Sequence, residues 1–269
     1  ISALLAGKLR SISLITGTGH IFDDDNFIQK IKRFLGIAGF KLSLLFSELV
    51  FFQNPDDLEL FCSLGMTTPE KSRLVNGSGV DLKKFSQAPL PDSPVFLCMA
   101  RLIKSKGLLD YANASKIVKL AYPNARFLLY GFPDDHEDSI EESEIINSWK
   151  DNYGVEYFGF TNDPVDTILK CSVYVLLSYN EGTPRSVLEA MAMGRPIITT
   201  DVPGCRETVS EGSNGYLVAL KDPQSAADAM IKLLDHDLRE DMGASSRYIC
   251  EEKYDVHLVN QSIIEGLKI

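Results

Sequence analysis

Residues 179–205, YNEGTPRSVLEAMAMGRPIITTDVPGC, decide the fold of this 269-residue chain. The apolar run at 174–177 that precedes them is typical of a buried strand. Gly182-Thr183-Pro184 then indicates a turn, and residues 186–193 are predicted to form a helix, because Pro fits a first helical turn and Gly follows the last one. A second strand is expected at 196–199. Strand, turn, helix and strand in this order are the unit of a parallel sheet.

Two glutamates flank the predicted start of that helix. Glu181 lies in the turn and Glu189 lies within the helix. Free backbone N–H groups at a helix start bind anions, most often phosphate. The two carboxylates can then accept hydrogen bonds from hydroxyl groups beside the phosphate. This combination suggests a sugar nucleotide as the ligand.

The same alternation of strands and helices extends in both directions from this segment. Strands are predicted at 12–15, 49–52, 95–99, 126–130, 155–158, 174–177, 196–199 and 216–218. Helices are predicted at 108–121, 139–150, 164–170, 186–193, 206–211, 223–234 and 238–252. The fold class is therefore α/β, with a doubly wound, Rossmann-like parallel sheet that binds ligands at the carboxyl ends of its strands.

The chain is predicted to contain two α/β domains of unequal size. A stretch with three prolines in eight residues is a plausible boundary between them. The predicted parts are a partial domain at 1–85, a linker at 86–94, the main ligand-binding domain at 95–252 and a C-terminal crossover helix at 253–269.

Composition excludes several classes of function. The net charge is −10, and residues 1–50 hold six basic and four acidic side chains, so the rest of the chain carries −12. Such an acidic body argues against a nucleic-acid partner. The five cysteines form no C-x-x-C pair and the four histidines are scattered, so no metal site is expected. No apolar run reaches the roughly 18 residues of a spanning helix.

Basic and apolar residues interleave between 27 and 46, and two interpretations of this segment are open. One is a helix packed on a sheet and followed by a strand. The other is a peripheral membrane contact that brings the protein to a lipid-linked substrate. Both can hold. The widely spaced cysteines in apolar surroundings favour reduced thiols and hence a cytoplasmic protein, which the second interpretation places at the inner face of the membrane.

Two cations follow the first strand of the main domain. Arg101 and Lys106 come after 95–99 and before a predicted helix, so they lie at the mouth of the sheet. A guanidinium fork and an ammonium point charge both suit a diphosphate. The alternative is a pair of solvated cations at a strand end. Because the unit with Glu181 and Glu189 follows another strand end of the same sheet, a shared binding site is favoured.

Several of these motifs together resemble a known family. ARLIKSKG (100–107), NEGTPRSVLEAMAMGRPIITTDVPG (180–204) and ETVSEGSNGYLV (207–218) are similar to the donor half of the GT-B glycosyltransferases of family 4, or group 1. FFQNPDDLELFCSLG (51–65) and LVNGSGVDLKKF (74–85) resemble the end of the acceptor half. GTGHIF (17–22) resembles the members that build cell-surface polysaccharides, often on polyprenyl-diphosphate carriers.

The resemblance implies a role for each matching position. Arg101 and Lys106 should grip the donor diphosphate, and Glu181 should contact hydroxyls of the transferred sugar. Glu189 should accept hydrogen bonds from the ribose, and the base should lie against Gly159. The turn residues that should meet the sugar and the distal phosphate are Gly182, Thr183, Arg185 and Ser186.

Other positions have two interpretations. Arg185 adds a third cation to the phosphate site or faces solvent. His20 follows the turn where many family members carry an active-site histidine, and it is otherwise a loop residue. The acidic runs at 23–25 and 134–135 resemble the metal-binding triplets of another glycosyltransferase fold, but solvated loop or helix-capping aspartates are the preferred interpretation.

The resemblance also implies a reaction. A UDP-sugar, or another nucleotide sugar, would give a hexosyl or N-acetylhexosaminyl group to a glycan or a polyprenyl-diphosphate-linked acceptor, with retention, without metal and without a cofactor. The departing phosphate would take the acceptor proton, so Glu181 would act as a positioning group. Alternatives are a non-catalytic nucleotide-sugar-binding partner subunit, or a sugar-phosphate synthase or phosphorylase on the same fold. Since 1–85 is short for a whole acceptor domain, this chain alone is expected to be inactive in transfer.

Overall fold

Two parallel sheets form the framework of the described part of the chain. A computed structural model describes residues 11–17, 27–135 and 138–267, with the backbone alone at 27–32. Within these residues one sheet has the order β1-β2-β3, and the other has the order β6-β5-β4-β7-β8-β9. The predicted α/β, Rossmann-like class is confirmed.

The smaller sheet has a fully buried middle strand. Its core joins aromatic residues of strand β2 and helix α2, and Phe52 and Phe61 are both completely buried there. Phe40 of helix α1 packs edge-on against Phe61. The elements are β1 (Ile12–Ile15), α1 (Phe27–Leu44), β2 (Leu49–Phe52), α2 (Pro55–Ser63), a 3₁₀ turn (Pro69–Lys71) and β3 (Ser72–Leu74).

The larger sheet reverses its strand order between β4 and β7. From β4 the chain proceeds outward to β5 and β6, and from β7 it proceeds outward to β8 and β9. Ligands of doubly wound folds bind at such a switch point, outside the carboxyl ends of the strands. The strands are β4 (Val95–Met99), β5 (Arg126–Tyr130), β6 (Val155–Tyr157), β7 (Val173–Leu176), β8 (Ile197–Thr200) and β9 (Gly215–Val218).

Helices cover both faces of the larger sheet. Most predicted helices are present within one to three residues of their predicted ends. The helices are α3 (Leu108–Ala121), α4 (Glu142–Glu144, continued by a π segment Ile145–Trp149 and by Lys150–Tyr153), α5 (Pro164–Leu169), α6 (Arg185–Ala192), α7 (Pro223–Lys232), α8 (His236–Ile249, continued by a π segment Cys250–Tyr254) and α9 (Val256–Leu267).

Two local predictions differ from the structure. Strand β3 was not predicted, because Ser72-Arg73-Leu74 has no apolar run, and it is a strand through its pairing with β2. The helix predicted at 206–211 is only a 3₁₀ turn, Arg206–Thr208. The Asn214 side chain accepts from the Ser210 N–H at 2.7 Å and donates to the Thr208 carbonyl at 3.0 Å, so side-chain bonds close this loop where a longer helix was expected.

The chain crosses between the sheets close to Val80. The Val80 N–H donates to the Tyr254 carbonyl at 2.8 Å, and the Val256 N–H donates to the Val80 carbonyl at 3.0 Å. Val80 is buried in the core of the larger sheet. Helix α9 returns to the smaller sheet, where Ile263 packs on its core. The two crossings therefore lie side by side, and the domain boundaries at 85 and 95 stay a prediction.

The proline-rich segment 86–94 packs against the larger sheet. The guanidinium of Arg195 is completely buried and donates to the Ala88 carbonyl at 2.6 Å and the Pro89 carbonyl at 3.2 Å. Arg239 is also buried and donates to the Asp92 carbonyl at 2.9 Å. These bonds satisfy the carbonyls of an irregular segment that lacks ladder partners.

Helix α1 has two apolar faces. Ile37 and Phe40 pack toward the core of the smaller sheet, while Phe34, Leu35 and Leu42 are 72%, 62% and 60% exposed. The interpretation of this segment as a helix packed on a sheet is thus correct for one face, and the other face lies in solvent. No helix in the described ranges combines the length and the apolarity needed to cross a bilayer.

Candidate active site

The loop after β4 carries the two predicted cations. Arg101 follows the strand, and Lys106 ends a 3₁₀ turn, Lys104–Lys106. The next residue, Gly107, has φ +65°, and a Cβ there would lie 2.0 Å from the Leu177 carbonyl oxygen. Only glycine allows this approach. The loop after β4 is therefore pressed against the end of β7, at the switch point of the sheet.

Lys106 and Glu181 form an ion pair. The Lys106 Nζ lies 2.5 Å from Glu181 Oε1, and each side chain is 16% exposed. The Ser178 hydroxyl donates to the same carboxylate oxygen at 2.7 Å. The two residues are 75 positions apart in the chain and lie together at the strand ends, where the sequence predicted a shared site, although their direct contact was not predicted. The carboxylate therefore neutralises the charge of Lys106, the cation that is predicted to bind the donor diphosphate.

Arg101 is paired with an aspartate. Its Nη1 contacts Asp134 Oδ2 in the loop after β5, and the two side chains are 48% and 26% exposed. Asp134 is a partly exposed loop residue, as the preferred interpretation has it, and its carboxylate is in addition the partner of Arg101. The pair lies at the rim, where water screens it more than the Lys106–Glu181 pair.

Helix α6 begins without a side-chain cap. Pro184 occupies the N-cap position and Arg185 is the first helical residue, one position before the predicted start. The first-turn N–H groups of a helix have no acceptor within it, so this end favours an anion. Arg185 is 74% exposed, and its guanidinium lies 3.8 Å from Glu189. The guanidinium of Arg185 thus faces solvent in the structure, and its role as a third phosphate-binding cation stays a prediction.

Glu189 is a largely buried carboxylate. Its side chain is only 14% exposed. Burial raises the pKa of the Glu189 carboxyl, and the nearby cations of Arg185 and Lys84 offset part of that effect. Such a perturbed acid beside a strand end is typical of a functional site.

Aromatic side chains surround Gly159. Phe158 and Phe160 flank this glycine and are 48% and 61% exposed, and Phe132 is 42% exposed. Phe132 and Phe160 contact edge to face with ring centroids 5.5 Å apart. A Cβ at Gly159 would meet no atom within 4 Å. This exposed apolar cluster at the ends of β5 and β6 was not predicted. The sequence Phe158-Gly159-Phe160, directly after a strand, is the signal that could have indicated it.

Tyr179 connects the loop after β7 to the loop after β4 and to helix α3 through two hydrogen bonds. Its N–H donates to the Ser105 carbonyl at 2.8 Å, and its hydroxyl donates to Asp110 at 2.8 Å. Burial raises the pKa of the Asp110 carboxyl. Both residues were missed by sequence reasoning, since neither belongs to a motif with recognisable chemistry.

Loops of the smaller sheet close over the turn at 181–183. The Thr183 hydroxyl donates to the Gln53 carbonyl at 3.2 Å, and a Cβ at Gly182 would lie 1.7 Å from the Thr16 carbonyl oxygen. His20 lies outside the described residues, so its role stays a prediction. The acidic run at 23–25 also lies outside them. In the described ranges no group of three or more His, Cys, Asp or Glu side chains could hold a metal ion.

The family is identified by comparison with known proteins. The model of the family described as glycosyl transferases group 1 matches residues 80–248, which is more than half of the chain. The chain therefore belongs to the group 1 glycosyltransferases, and the predicted family is confirmed. The protein is a glycosyltransferase.

Individual relatives are similar over most of the chain. The N,N'-diacetylbacillosaminyl-diphospho-undecaprenol α-1,3-N-acetylgalactosaminyltransferase of Campylobacter jejuni is 28% identical over 97% of this chain and 72% of its own length. The UDP-Gal:α-D-GlcNAc-diphosphoundecaprenol α-1,3-galactosyltransferase of Escherichia coli is 26% identical, over 90% of this chain and 66% of its own length. The chain thus spans about two thirds to three quarters of these relatives.

Solved structures share the fold. The crystal structure of Anabaena HepE in complex with UDP superposes with a TM-score of 0.82 at 19% identity, covering 99% of this chain and 74% of that one. At this identity the likeness concerns the fold alone.

Proposed function

We propose that the protein transfers a hexosyl or N-acetylhexosaminyl group from a UDP-sugar to a glycan or polyprenyl-diphosphate-linked acceptor in cell-surface polysaccharide synthesis. The observation that carries the donor side of the proposal is the Lys106–Glu181 pair at the switch point of the sheet, beside an uncapped helix start. The names of the two relatives support the donor and acceptor classes, since one contains UDP-Gal and both contain an undecaprenyl diphosphate.

In the proposed donor site, separate sets of residues bind the different parts of the nucleotide sugar. Arg101 and Lys106 bind the diphosphate, and the N–H groups of the first turn of α6 face its distal phosphate. Glu181 and Glu189 accept hydrogen bonds from the sugar and the ribose. The cluster around Gly159 lies against the base. Arg101 and Lys106 exchange their carboxylate partners for the diphosphate, so both exist in a neutralised state without donor.

The proposed reaction retains the anomeric configuration and needs no metal. Cleavage of the anomeric bond increases the negative charge on the departing diphosphate. Lys106, Arg101 and the helix start stabilise that charge more in the transition state than in the ground state. The departing phosphate oxygen takes the acceptor proton, and Glu181 holds the sugar in place. UDP and the glycosylated acceptor are the products.

We also propose that the protein works at the inner face of the membrane. A polyprenyl-diphosphate acceptor is itself held in a bilayer. The exposed apolar face of α1, with Phe34, Leu35 and Leu42, can insert at the boundary between the lipid headgroups and the acyl chains. Lys41 in the last turn of the same helix adds a positive charge toward anionic headgroups.

Calorimetry with UDP, UDP-galactose, UDP-glucose and UDP-N-acetylgalactosamine tests the donor site directly. We expect at least one of the UDP-sugars to bind, and we expect Lys106→Ala to weaken its binding by about 10- to 100-fold, because a charge-assisted bond to phosphate is lost. Lys116→Ala, an exchange on α3 away from the strand ends, is the matched control and should bind as the wild type does. Binding of no nucleotide, or equal binding by Lys106→Ala, would refute the proposed donor site.

A further inference from the structure

The side chain of Asn54 makes more hydrogen bonds than a helix cap requires. It is completely buried at the start of α2. Its Oδ1 accepts from the Asp57 N–H at 2.7 Å, which is the capping bond. Its Nδ2 donates to Asp57 Oδ2 at 2.9 Å and, across the two sheets, to the Gly182 carbonyl at 3.2 Å. Ser, Thr or Asp would supply the cap, but Asp has no donor and the hydroxyl of Ser or Thr ends one bond short of the Nδ2 position, so among these side chains the amide alone both caps the helix and reaches the Gly182 carbonyl.

The accepting carbonyl belongs to a turn that has no free space. A Cβ at Gly182 would lie 1.7 Å from the Thr16 carbonyl oxygen, and a Cβ at Gly204 would lie 2.0 Å from the Gly182 carbonyl oxygen. A Cβ at Gly77 would lie 2.8 Å from the Thr183 side chain. The turn is therefore enclosed by backbone from both sheets, and a shift of Gly182 has to be transmitted to its neighbours.

Glu181 is the immediate neighbour of that carbonyl. We infer that Asn54 is a positioning residue, whose amide holds the Gly182 carbonyl and thereby sets the place of the Glu181 carboxylate relative to Lys106 and the donor sugar. This inference rests on the proposed function, because it concerns the sugar-contacting carboxylate of that site. It assigns a role in donor recognition to the smaller sheet, through the segment 53–57 that follows β2.

Replacement of the amide by a hydroxyl separates capping from positioning. Asn54→Ser keeps an acceptor for the Asp57 N–H, but its hydroxyl is one bond shorter than the amide, so the bonds from Nδ2 to the Gly182 carbonyl and to Asp57 Oδ2 are lost. In the 269-residue chain we expect its affinity for UDP to stay within about 2-fold and its affinity for the tightest-binding UDP-sugar to fall by about 5- to 20-fold, as for a lost buried hydrogen bond. Adding Glu181→Gln to Asn54→Ser should cause little further loss, since both changes remove the same contact.

A second measurement reads the contact without any ligand. Amide hydrogen exchange of residues 179–183 should be faster by about 10-fold in Asn54→Ser, because the turn opens more often. Asn214→Ser is the matched control: this asparagine is also completely buried and donates to a backbone carbonyl, that of Thr208. It should leave both the exchange at 179–183 and the ratio of UDP to UDP-sugar affinity unchanged. Asn54→Thr replaces Asn54→Ser if the serine variant does not fold.

Each outcome decides the inference. Unchanged exchange at 179–183 in Asn54→Ser means that the amide does not hold the turn, and the inference fails whatever the donor does. Faster exchange with equal loss of UDP and UDP-sugar affinity shows a structural role only, which also overturns it. If the wild-type chain binds no nucleotide, the proposed function and the positioning role both fail, while the exchange result still shows whether Asn54 holds the turn.

Discussion

The charged side chains around the end of β4 are held in pairs. Lys106 contacts Glu181, and Arg101 contacts Asp134. Glu189 has weaker compensation: the guanidinium of the exposed Arg185 lies 3.8 Å away, and Lys84 contributes a positive charge at longer range. A buried carboxylate without a close partner costs stability in its ionised form. The proposed role of Glu189 in binding the donor gives a reason for a carboxylate at a position that does not favour its ionised form.

Glu189→Gln should therefore stabilise the ligand-free protein at neutral pH. The pKa of the Glu189 carboxyl is raised by burial, so the folded state holds its proton to higher pH than the unfolded state. The free energy of unfolding therefore decreases as the pH rises from about 4 through the raised pKa of Glu189, because ionisation is less favourable in the folded state than in the unfolded state. We expect the variant to gain about 1 kcal/mol at pH 7 and nothing near pH 4, as measured by urea unfolding across this range.

The matched control for this experiment is Glu141→Gln, at an exposed glutamate. It should change the stability by less than about 0.5 kcal/mol at every pH. A Glu189→Gln variant that is less stable than the wild type at pH 7 would contradict the expectation. The same variant should bind the donor more weakly, since its amide is a poorer acceptor for the ribose hydroxyls.

Secondary-structure elements show which local predictions succeed. β4, β5 and α3 have the predicted bounds, because apolar runs and turn residues define them locally. β3 exists through pairing with β2, and no pattern within its three residues indicates a strand. The loop after β4 is the element on which the site depends, and its shape is set at Gly107.

Gly107→Ala should destabilise the protein strongly. Its φ is +65°, and the added Cβ would lie 2.0 Å from the Leu177 carbonyl oxygen. We expect a loss of about 3 kcal/mol or more, from backbone strain together with a clash that shifts the loop. Urea unfolding measures it.

Gly212→Ala is the control, because Gly212 has φ +73° and no atom within 4 Å of an added Cβ. It should lose only about 1 kcal/mol, the cost of the left-handed conformation alone. Equal losses in the two variants would show that the approach of the β4 loop to β7 contributes nothing to stability.

In the molecule as a whole, helix α1 differs from the acidic remainder of the chain, because it combines exposed apolar side chains with a basic residue. α1 lies on the smaller sheet with an exposed apolar face and a basic last turn. The carboxyl ends of the larger sheet face loops of the smaller one at the turn 181–183. The proposed membrane contact uses a helix of the smaller sheet and the proposed donor site uses loops of the larger sheet, so different residues can be changed to test each.

Vesicle binding tests the proposed membrane contact of α1, by replacement of exposed apolar side chains with serine. Phe34→Ser with Leu42→Ser should reduce sedimentation with phosphatidylglycerol-containing vesicles by about 10-fold or more, because buried apolar area contributes roughly 25 cal/mol per Å². Leu120→Ser, at a leucine that is 83% exposed on α3, is the control and should sediment as the wild type does. Equal sedimentation of all three proteins would exclude α1 as a membrane contact. High salt should weaken the wild-type binding.

The sequence by itself determined the doubly wound sheet, the positions of its strand ends and the charged residues that gather there. These follow from hydrophobic periodicity and turn chemistry, which are local properties of the chain. Only the tertiary structure decided which carboxylate pairs with each cation, that Arg185 faces solvent and that Asn54 reaches Gly182. The last contact joins residues 128 positions apart. It depends on how two sheets pack, and a local pattern carries no information about that geometry.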